Sequence, residues 1–216
     1  MIILPTRGRP KSIERFMAAY ANTGASALVL LVTDHDDPSY DALALHPNFK
    51  RKIMPPHRGI GECFNAVFAE YPNLEYYGVM ADDVVPTSPQ WDERLRAACL
   101  PFTIAWGNDG LMGEKLPTHP HIAGDVARTL GWLACPGVMH CFVDNMWMDI
   151  ANVLGGGVYL SDVMTPHHHV LSGKAELDDT YLNQPSREKD MTNYAQFLKN
   201  EFPAIAARLN AARPKA

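Results

Sequence analysis

Cysteine, long apolar runs and positive charge are all scarce in this chain, and each shortage excludes a class of protein. The 216 residues include only four cysteines, Cys63, Cys99, Cys135 and Cys141, with no Cys-x-x-Cys pair, which argues against a zinc ribbon or a disulfide framework. We therefore expect buried free thiols in a reducing compartment. No stretch approaches the roughly 18 apolar residues of a membrane-spanning helix, and residues 1–5 show neither the basic start nor the apolar core that is typical of a signal peptide. A soluble, cytoplasmic protein with no membrane partner is expected.

The charge balance gives no general case for nucleic-acid binding. The net charge is −5, whereas nucleic-acid-binding domains concentrate positive charge. Lys50, Arg51 and Lys52, with Arg58 nearby, form the only dense basic cluster. A local basic groove therefore stays open. The length is sufficient for one well-buried core, or for a core with an elaborated second lobe.

Apolar strand-like runs alternate with helix-like segments through the first half of the chain. The spacing predicts strands at 2–4, 27–33, 49–54, 76–81 and 102–106, and helices at 12–22, 60–70 and 90–100. In the second half, 124–133 is ambiguous, a helix is predicted at 144–154, a strand at 158–163 and a helical tail at 188–212 with a break at Pro203. This alternation predicts an α/β fold in one domain: a mostly parallel sheet with helices on both faces.

One apolar run ends abruptly in two adjacent carboxylates, Asp82 and Asp83. Because a buried strand excludes charge, we expect the pair where the strand emerges at the edge of the sheet, where open α/β folds bind ligands. Adjacent carboxylates repel each other unless a cation or a basic group neutralises them. Oxygen ligands of this kind suit Mg²⁺ or Mn²⁺ shared with substrate phosphates. The alternative is that one aspartate caps a helix and the other is solvated.

Two further polar clusters follow predicted strands. Residues 5–10 (Pro-Thr-Arg-Gly-Arg-Pro) come after the first strand, and Asp34 ends the second. In a parallel sheet these ends lie on the same side as Asp82 and Asp83, and such a set of side chains suits a nucleotide. Asp34 would accept hydrogen bonds from a base or ribose, while the carboxylate pair would hold a metal on the diphosphate. Alternatively, Asp34 is a turn carboxylate next to Pro38.

These segments together resemble a GT-A glycosyltransferase of the family 2 type. The resemblance covers roughly residues 1–110 and includes an Arg-Gly-x-x-x-x-x-Asn helix entry at 58–65. It implies a GT-A-like, Rossmann-like fold and transfer of a sugar from a nucleoside diphosphate, by default UDP, with Mn²⁺ or Mg²⁺. The usual Asp-x-Asp motif is here Ala81-Asp82-Asp83, so Asp83 is predicted to bind the metal and Asp82 the ribose, or the metal through water. The nucleotide-binding set implied by the resemblance is Thr6, Arg7, Arg9, Asp34, Arg58, Asn65, Asp82 and Lys174.

A histidine-rich segment extends the resemblance into the second half of the chain. His167-His168-His169, Gly173-Lys174 and Asp178-Asp179-Thr180-Tyr181 are similar to a pattern in related bacterial and phage-type sequences. The similarity implies His167 and His169 as metal ligands, with Lys174 neutralising the leaving diphosphate. A nucleotide-binding half (1–110) is thus followed by an acceptor and metal-histidine half (111–216). A solvated loop or an adventitious metal site is the alternative.

An inverting transferase needs a carboxylate that removes the proton of the acceptor hydroxyl. Asp144 is our choice, because it opens a helix and resembles the acidic position that family 2 enzymes place there. The alternative role is an N-cap, and Asp149 and Asp109 are second choices. The acceptor is open between a glycan, a protein and a hydroxymethylated base of phage-type DNA. A nucleotidyltransferase and a non-catalytic nucleotide- or carbohydrate-binding module are the competing functions.

Overall fold

The computed structural model of the chain describes residues 1–56, 59–168 and 187–214. Its strands are β1 (Ile2–Pro5), β2 (Val29–Asp34), β3 (Phe49–Met54), β4 (Tyr76–Val79), β5 (Ile104–Asn108), β6 (His121–Ala123) and β7 (Val158–Met164). Its α-helices are α1 (Pro10–Asn22), α2 (Ile60–Glu70), α3 (Trp91–Ala98), α4 (Gly124–Leu130), α5 (Val143–Val153), α6 (Arg187–Asn200) and α7 (Phe202–Ala212). Short 3₁₀ helices lie at Pro38–Tyr40 and Gly113–Lys115.

The strands form one seven-stranded sheet in the order β3-β2-β1-β4-β6-β5-β7. β1 pairs in parallel with both β2 and β4. Within this sheet β6 alone runs antiparallel, between β4 and β5. The chain thus winds outward on one side through β2 and β3 and resumes on the other side at β4. Such a reversal opens a crevice at the carboxyl ends of β1 and β4. The predicted mostly parallel α/β sheet is confirmed.

Both faces of the sheet are covered by helices. Successive side chains of the central strands point to opposite faces and so pack into two separate apolar cores. Ile2 and Leu4 pack with apolar residues of α1 and α3. Ile3 packs instead with residues of α2, α4, α5 and the two C-terminal helices. All four residues of β1 and all six of β2 are buried. Their mainly apolar sequences are therefore those of parallel strands with no solvent-facing side.

The structure differs from the sequence-based expectation at three places that bear on the site or on the sheet, while other element ends shift by one or two residues. β4 ends at Val79, so Asp82 and Asp83 lie in the turn beyond the strand rather than at its last residues. β6 was not predicted, since its three residues are too few to show a period. α1 begins at Pro10 rather than after Ser12, because proline fits the first turn of a helix, where its missing N–H costs nothing.

A glycine allows the close passage of chain between β6 and α4. Gly124 donates its N–H to the Glu75 carbonyl at 2.7 Å. A Cβ at this position would lie 1.9 Å from the carbonyl oxygen of Leu74. Any larger residue would therefore push the start of α4 away from the sheet.

The four cysteines are all free, as predicted, and Cys63 and Cys135 are buried. Burial raises the pKa of Cys135 to about 12, which keeps this sulfur a thiol. In the part of the chain described here, no helix is both long and apolar enough to cross a membrane.

Candidate functional site

The loops that follow β1 and β4 meet at the carboxyl edge of the sheet. The Thr6 hydroxyl donates to Asp82 Oδ2 at 2.7 Å, and the Arg9 guanidinium donates to Asp82 Oδ1 at 3.0 Å. Burial raises the pKa of Asp82, while the charge of Arg9 and the hydrogen bond from Thr6 oppose that rise. Both oxygens of Asp82 thus have protein partners, and Arg9 supplies the basic group that the adjacent carboxylates require.

Asp83 faces the histidine segment rather than the loop after β1. Its Oδ1 lies 3.0 Å from Nε2 of His167, and both side chains are largely buried. The backbones support this contact: His168 N–H donates to the Asp83 carbonyl, and Val84 forms an antiparallel bridge with His167. Two of the three predicted metal ligands are therefore adjacent, although they are far apart in sequence.

The donor chemistry of this pair fits a divalent cation. A carboxylate oxygen and an imidazole nitrogen form a ligand set that suits Mn²⁺, and the carboxylate also suits Mg²⁺. The 3.0 Å between Asp83 Oδ1 and His167 Nε2 would let both groups contact one such ion. No cluster of three or more His, Cys, Asp or Glu occurs in the described residues. Phosphate oxygens and water would fill the other coordination positions.

Asp109 anchors the segment that carries His167. The Asp109 carbonyl accepts the His167 N–H at 2.9 Å. Its Oδ1 accepts backbone N–H groups from residues 111, 112 and 113, and its Oδ2 accepts the Thr118 hydroxyl. Burial raises the pKa of Asp109, but these hydrogen bonds outweigh burial and hold the pKa below its ordinary value. Asp109 therefore organises a loop and is poorly suited to act as a base.

His119 packs behind the proposed metal ligand. Its ring meets that of His167 edge to face, with centroids 4.8 Å apart. Its Nδ1 lies 3.2 Å from the Thr118 hydroxyl. Burial, and then the nearby His167, lower the pKa of His119 to about 3, so this ring is neutral. Sequence reasoning missed His119, because nothing local to His119-Pro120-His121 shows which other histidine it contacts.

Arg7 and Asp34, both predicted for the nucleotide site, are in direct contact. Arg7 Nη1 lies 2.6 Å from Asp34 Oδ2 and 2.6 Å from Asp36 Oδ1. Asp34 is 1% exposed, whereas Arg7 is half exposed and lies on its outer side. The Arg7 guanidinium lowers the pKa of Asp36. Asp37 holds the same loop by accepting the Gly8 N–H at 2.7 Å.

Asp144 lies in the first turn of α5, whose N-cap is Phe142 with a φ of 69°. Asp144 is therefore not the N-cap residue, although its Oδ1 accepts the N–H of Asn145 at 2.9 Å within the first turn. Burial raises the pKa of Asp144, and backbone hydrogen bonds, that from the Asn145 N–H first, together with the smaller influence of His167 and Arg187, only partly offset that rise. The Coulombic effect of His167 on Asp144 shows that Asp144 lies near the Asp83–His167 pair.

A buried aspartate fixes the loop before α5. Asp190 on α6 is fully buried and accepts three backbone N–H groups, from Met139, His140 and Cys141, at 2.8–2.9 Å. The sequence shows Asp190 only as one acid in a charged helix. Its role depends on the packing of α6 against this loop, which no local pattern reports.

Other predicted residues lie elsewhere or outside the description. Asn65 is engaged by the loop at 133–134: Nδ2 donates to the Ala134 carbonyl, and Oδ1 accepts the N–H groups of Leu133 and Ala134. Its contact with a nucleotide stays a prediction. The remaining predicted site residues, Arg58, His169 and Lys174, lie outside the described residues.

Two of the four residues of the basic cluster, Arg51 and Lys52, pair with acidic neighbours. Arg51 pairs with Asp41 at 2.8 Å, and Lys52 pairs with Glu70. These two side chains do not form the open basic groove that the sequence had left possible.

Comparison with solved structures shows a common fold at low sequence identity. S. aureus TarS superposes with a TM-score of 0.57 at 13% identity, over 99% of this chain and 49% of TarS. TarS 1-349 in complex with UDP-GlcNAc gives a TM-score of 0.53 at 13% identity, over 94% of this chain and 72% of that one. A candidate nucleotide-diphospho-sugar transferase from Desulfovibrio desulfuricans G20 gives 0.53 at 12% identity, over 96% of each chain.

This chain thus spans about half the length of the first TarS structure. No protein-family model and no curated protein matches the sequence. At identities of 12–13% the likeness concerns the fold alone. The chain has the GT-A glycosyltransferase fold that its strand-end motifs resemble.

Proposed function

We propose that this chain is a metal-dependent, inverting glycosyltransferase that moves a sugar from a nucleoside-diphosphate sugar to a hydroxyl acceptor. The observation that carries the proposal is the buried Asp83–His167 pair at the carboxyl edge of a GT-A sheet. Arg7 and Asp34 lie at the same edge. Asp144 is within electrostatic reach of His167. Each part of the reaction thus has a residue of suitable chemistry nearby.

The donor is proposed to be a UDP-sugar. TarS, which shares this fold, was solved in complex with UDP-GlcNAc. In this chain Asp34 would accept a hydrogen bond from the base or ribose, and Arg7 would close over that group, since Arg7 already lies on the outer side of Asp34. Thr6 and Arg9 would act mainly through Asp82, which both contact.

Asp83 and His167 would hold Mn²⁺ or Mg²⁺ at the diphosphate. A bound divalent ion supplies positive charge that stabilises the departing diphosphate. The buried position of the two ligands strengthens their interaction with a cation, because little water screens it. His169 and Lys174 are predicted to add a ligand and a further positive charge.

Asp144 is proposed as the general base. The acceptor oxygen forms a bond to the anomeric carbon while the bond from that carbon to the diphosphate oxygen breaks, and the acceptor proton passes to Asp144. Burial raises the pKa of Asp144, which makes the carboxylate a stronger base. Because the base must be deprotonated, the rate falls as the pH falls through this raised pKa.

The loop after β1 argues against a nucleotidyltransferase. That activity would favour a glycine-rich loop whose N–H groups face phosphate. Here the Gly8 N–H donates to Asp37 and the Arg9 N–H donates to Tyr40. These two donors are therefore used inside the protein. The pairing of Arg51 and Lys52 with acids likewise favours a glycan or protein acceptor over DNA.

Calorimetric titration of UDP, GDP and ADP, with and without Mn²⁺, tests the donor site. We expect UDP to bind more tightly with Mn²⁺, and Asp83→Ala to remove the metal-dependent part. Asp41→Ala is the matched control, because Asp41 is an exposed acid that pairs with Arg51 on β3. Absence of nucleotide binding in both conditions would refute the proposal, and binding without turnover on any hydroxyl acceptor would indicate a binding module.

A further inference from the structure

Tyr40 joins three loops of the candidate donor site, although no sequence motif pointed to it. It ends the 3₁₀ helix Pro38–Tyr40 after β2 and is 2% exposed. Its hydroxyl lies 2.6 Å from Thr6 Oγ1 and accepts the Arg9 N–H at 2.9 Å. Thr6 and Arg9 both continue to Asp82. One phenol thus connects the loops after β1, β2 and β4.

The directions of these hydrogen bonds follow from proton counting. The single hydroxyl proton of Thr6 goes to Asp82 Oδ2, because an ionised carboxylate only accepts. Tyr40 must therefore donate its own proton to Thr6 Oγ1, while its oxygen accepts from the Arg9 backbone. Burial raises the pKa of Tyr40 to about 12, so the phenol keeps that proton at neutral pH. The hydrogen bonds therefore all point the same way, from the Arg9 N–H through Tyr40 and Thr6 to Asp82.

This series of hydrogen bonds forms a ring, because Arg9 contacts both its first member, Tyr40, and its last member, Asp82. The Arg9 guanidinium reaches Asp82 Oδ1, while the Arg9 backbone contacts the Tyr40 hydroxyl. Both oxygens of Asp82 are therefore oriented by groups that Tyr40 contacts. Asp83 shares a peptide bond with Asp82, and peptide planarity couples their backbones. A fixed Asp82 consequently limits where the Asp83 carboxylate lies relative to His167.

We infer that Tyr40 is a positioning residue of the donor site, which acts through Thr6 and Asp82 to hold Asp83 in place for the metal and the diphosphate. This inference rests on the proposed function. It assigns Tyr40 no contact with the nucleotide. Asp82 was predicted to bind the ribose, or the metal through water. In this inference Asp82 instead supports Asp83, the predicted metal ligand.

Tyr40→Phe tests the inference, because it removes only the hydroxyl. The matched control is Tyr20→Phe. Tyr20 is fully buried in the same apolar cluster, and its hydroxyl also makes two hydrogen bonds, to the Ala27 carbonyl and from Asn48. Both variants should lower the melting temperature by similar amounts. Only Tyr40→Phe should weaken Mn²⁺-dependent UDP binding, by about tenfold, as expected for one hydrogen bond's contribution to orientation.

A second pair of variants keeps the test decisive if Tyr40→Phe fails to fold. Thr6→Val removes the hydroxyl that links Tyr40 to Asp82. It should weaken Mn²⁺-dependent UDP binding by about tenfold, as expected for Tyr40→Phe. Thr6→Ser keeps the hydroxyl and should restore binding close to wild type. If the three residues act as a unit, the double variant Tyr40→Phe/Thr6→Val should lose little more than either single variant.

Three outcomes separate the possibilities. If Tyr40→Phe weakens Mn²⁺-dependent UDP binding and Tyr20→Phe leaves it unchanged, the positioning role is supported. Equal binding by wild type and Tyr40→Phe overturns the role but leaves the proposed function intact. Absence of Mn²⁺-dependent UDP binding by the wild type overturns the proposed function, and this inference with it.

Discussion

Acid should destabilise this fold through a histidine that is buried away from the site. His121 in β6 is fully buried, stacks on Tyr76 with ring centroids 5.4 Å apart and meets Trp91 edge to face. Among the described residues, neither ring nitrogen of His121 has a hydrogen-bond partner. Burial, and then the nearby amino group of Met1, lower the pKa of His121 to about 3. The ring is therefore neutral in the folded state throughout the range from pH 5 to pH 7.5.

The size of the effect follows from proton linkage. An unfolded histidine titrates near pH 6.5, so below that pH the unfolded chain binds a proton that folded His121 does not. Stability from this group is complete above pH 6.5 and falls as the pH drops toward 3. One pKa unit corresponds to about 1.4 kcal/mol, so His121 alone should cost about 2 kcal/mol of unfolding free energy between pH 7.5 and pH 5.

Urea denaturation followed by tryptophan fluorescence at both pH values measures this cost. His121→Leu removes the titrating group, so the difference in unfolding free energy between pH 7.5 and pH 5 should shrink by about 2 kcal/mol. Any packing change affects both pH values alike and cancels in that difference. His35→Gln is the control, because His35 is exposed and its loss should leave the difference unchanged. If His121→Leu shows the same pH dependence as the wild type, the linkage reasoning is refuted.

Three further perturbations have expected outcomes. Asp144→Asn should keep Mn²⁺-dependent UDP binding in calorimetry and lower single-turnover sugar transfer by about 10²- to 10⁴-fold, the usual contribution of a general base. Asp190→Ala should lower the urea-derived unfolding free energy by about 3 kcal/mol or more, since three buried N–H groups lose their acceptor, and Asp190→Asn should recover part of that loss. Gly124→Ala should cost about 3 kcal/mol in the same assay, because its Cβ would lie 1.9 Å from the Leu74 carbonyl oxygen.

The core of the fold could be predicted because the local pattern of its central strands is strong. β1 and β2 are buried on both faces, and β2 is apolar up to Val32. β6 could not be predicted in this way, because its three residues follow Pro120 and include a buried histidine whose ring nitrogens have no hydrogen-bond partner among the described residues. The helix α4 that follows was ambiguous for a related reason. Its seven residues give barely two turns, and its burial comes from tertiary packing.

The sequence by itself determined which side chains share an edge of the sheet. Residues that follow parallel strands must emerge on the same side, so Arg7, Asp34 and Asp82 could be grouped before any contact was known. The physical basis is local: each strand is recognised by its own burial pattern, and strand direction then sets the edge.

The tertiary structure alone decided which of those side chains touch and what each one does. Asp83 meets His167, and Asp82 meets Thr6 and Arg9, although the two aspartates are neighbours in sequence and chemically identical. Tyr40 is the buried last residue of a 3₁₀ helix, and in the sequence such a tyrosine resembles an ordinary core residue. Such pairings depend on how separate loops pack against each other across the sheet edge, and sequence spacing along one element carries no information about that packing.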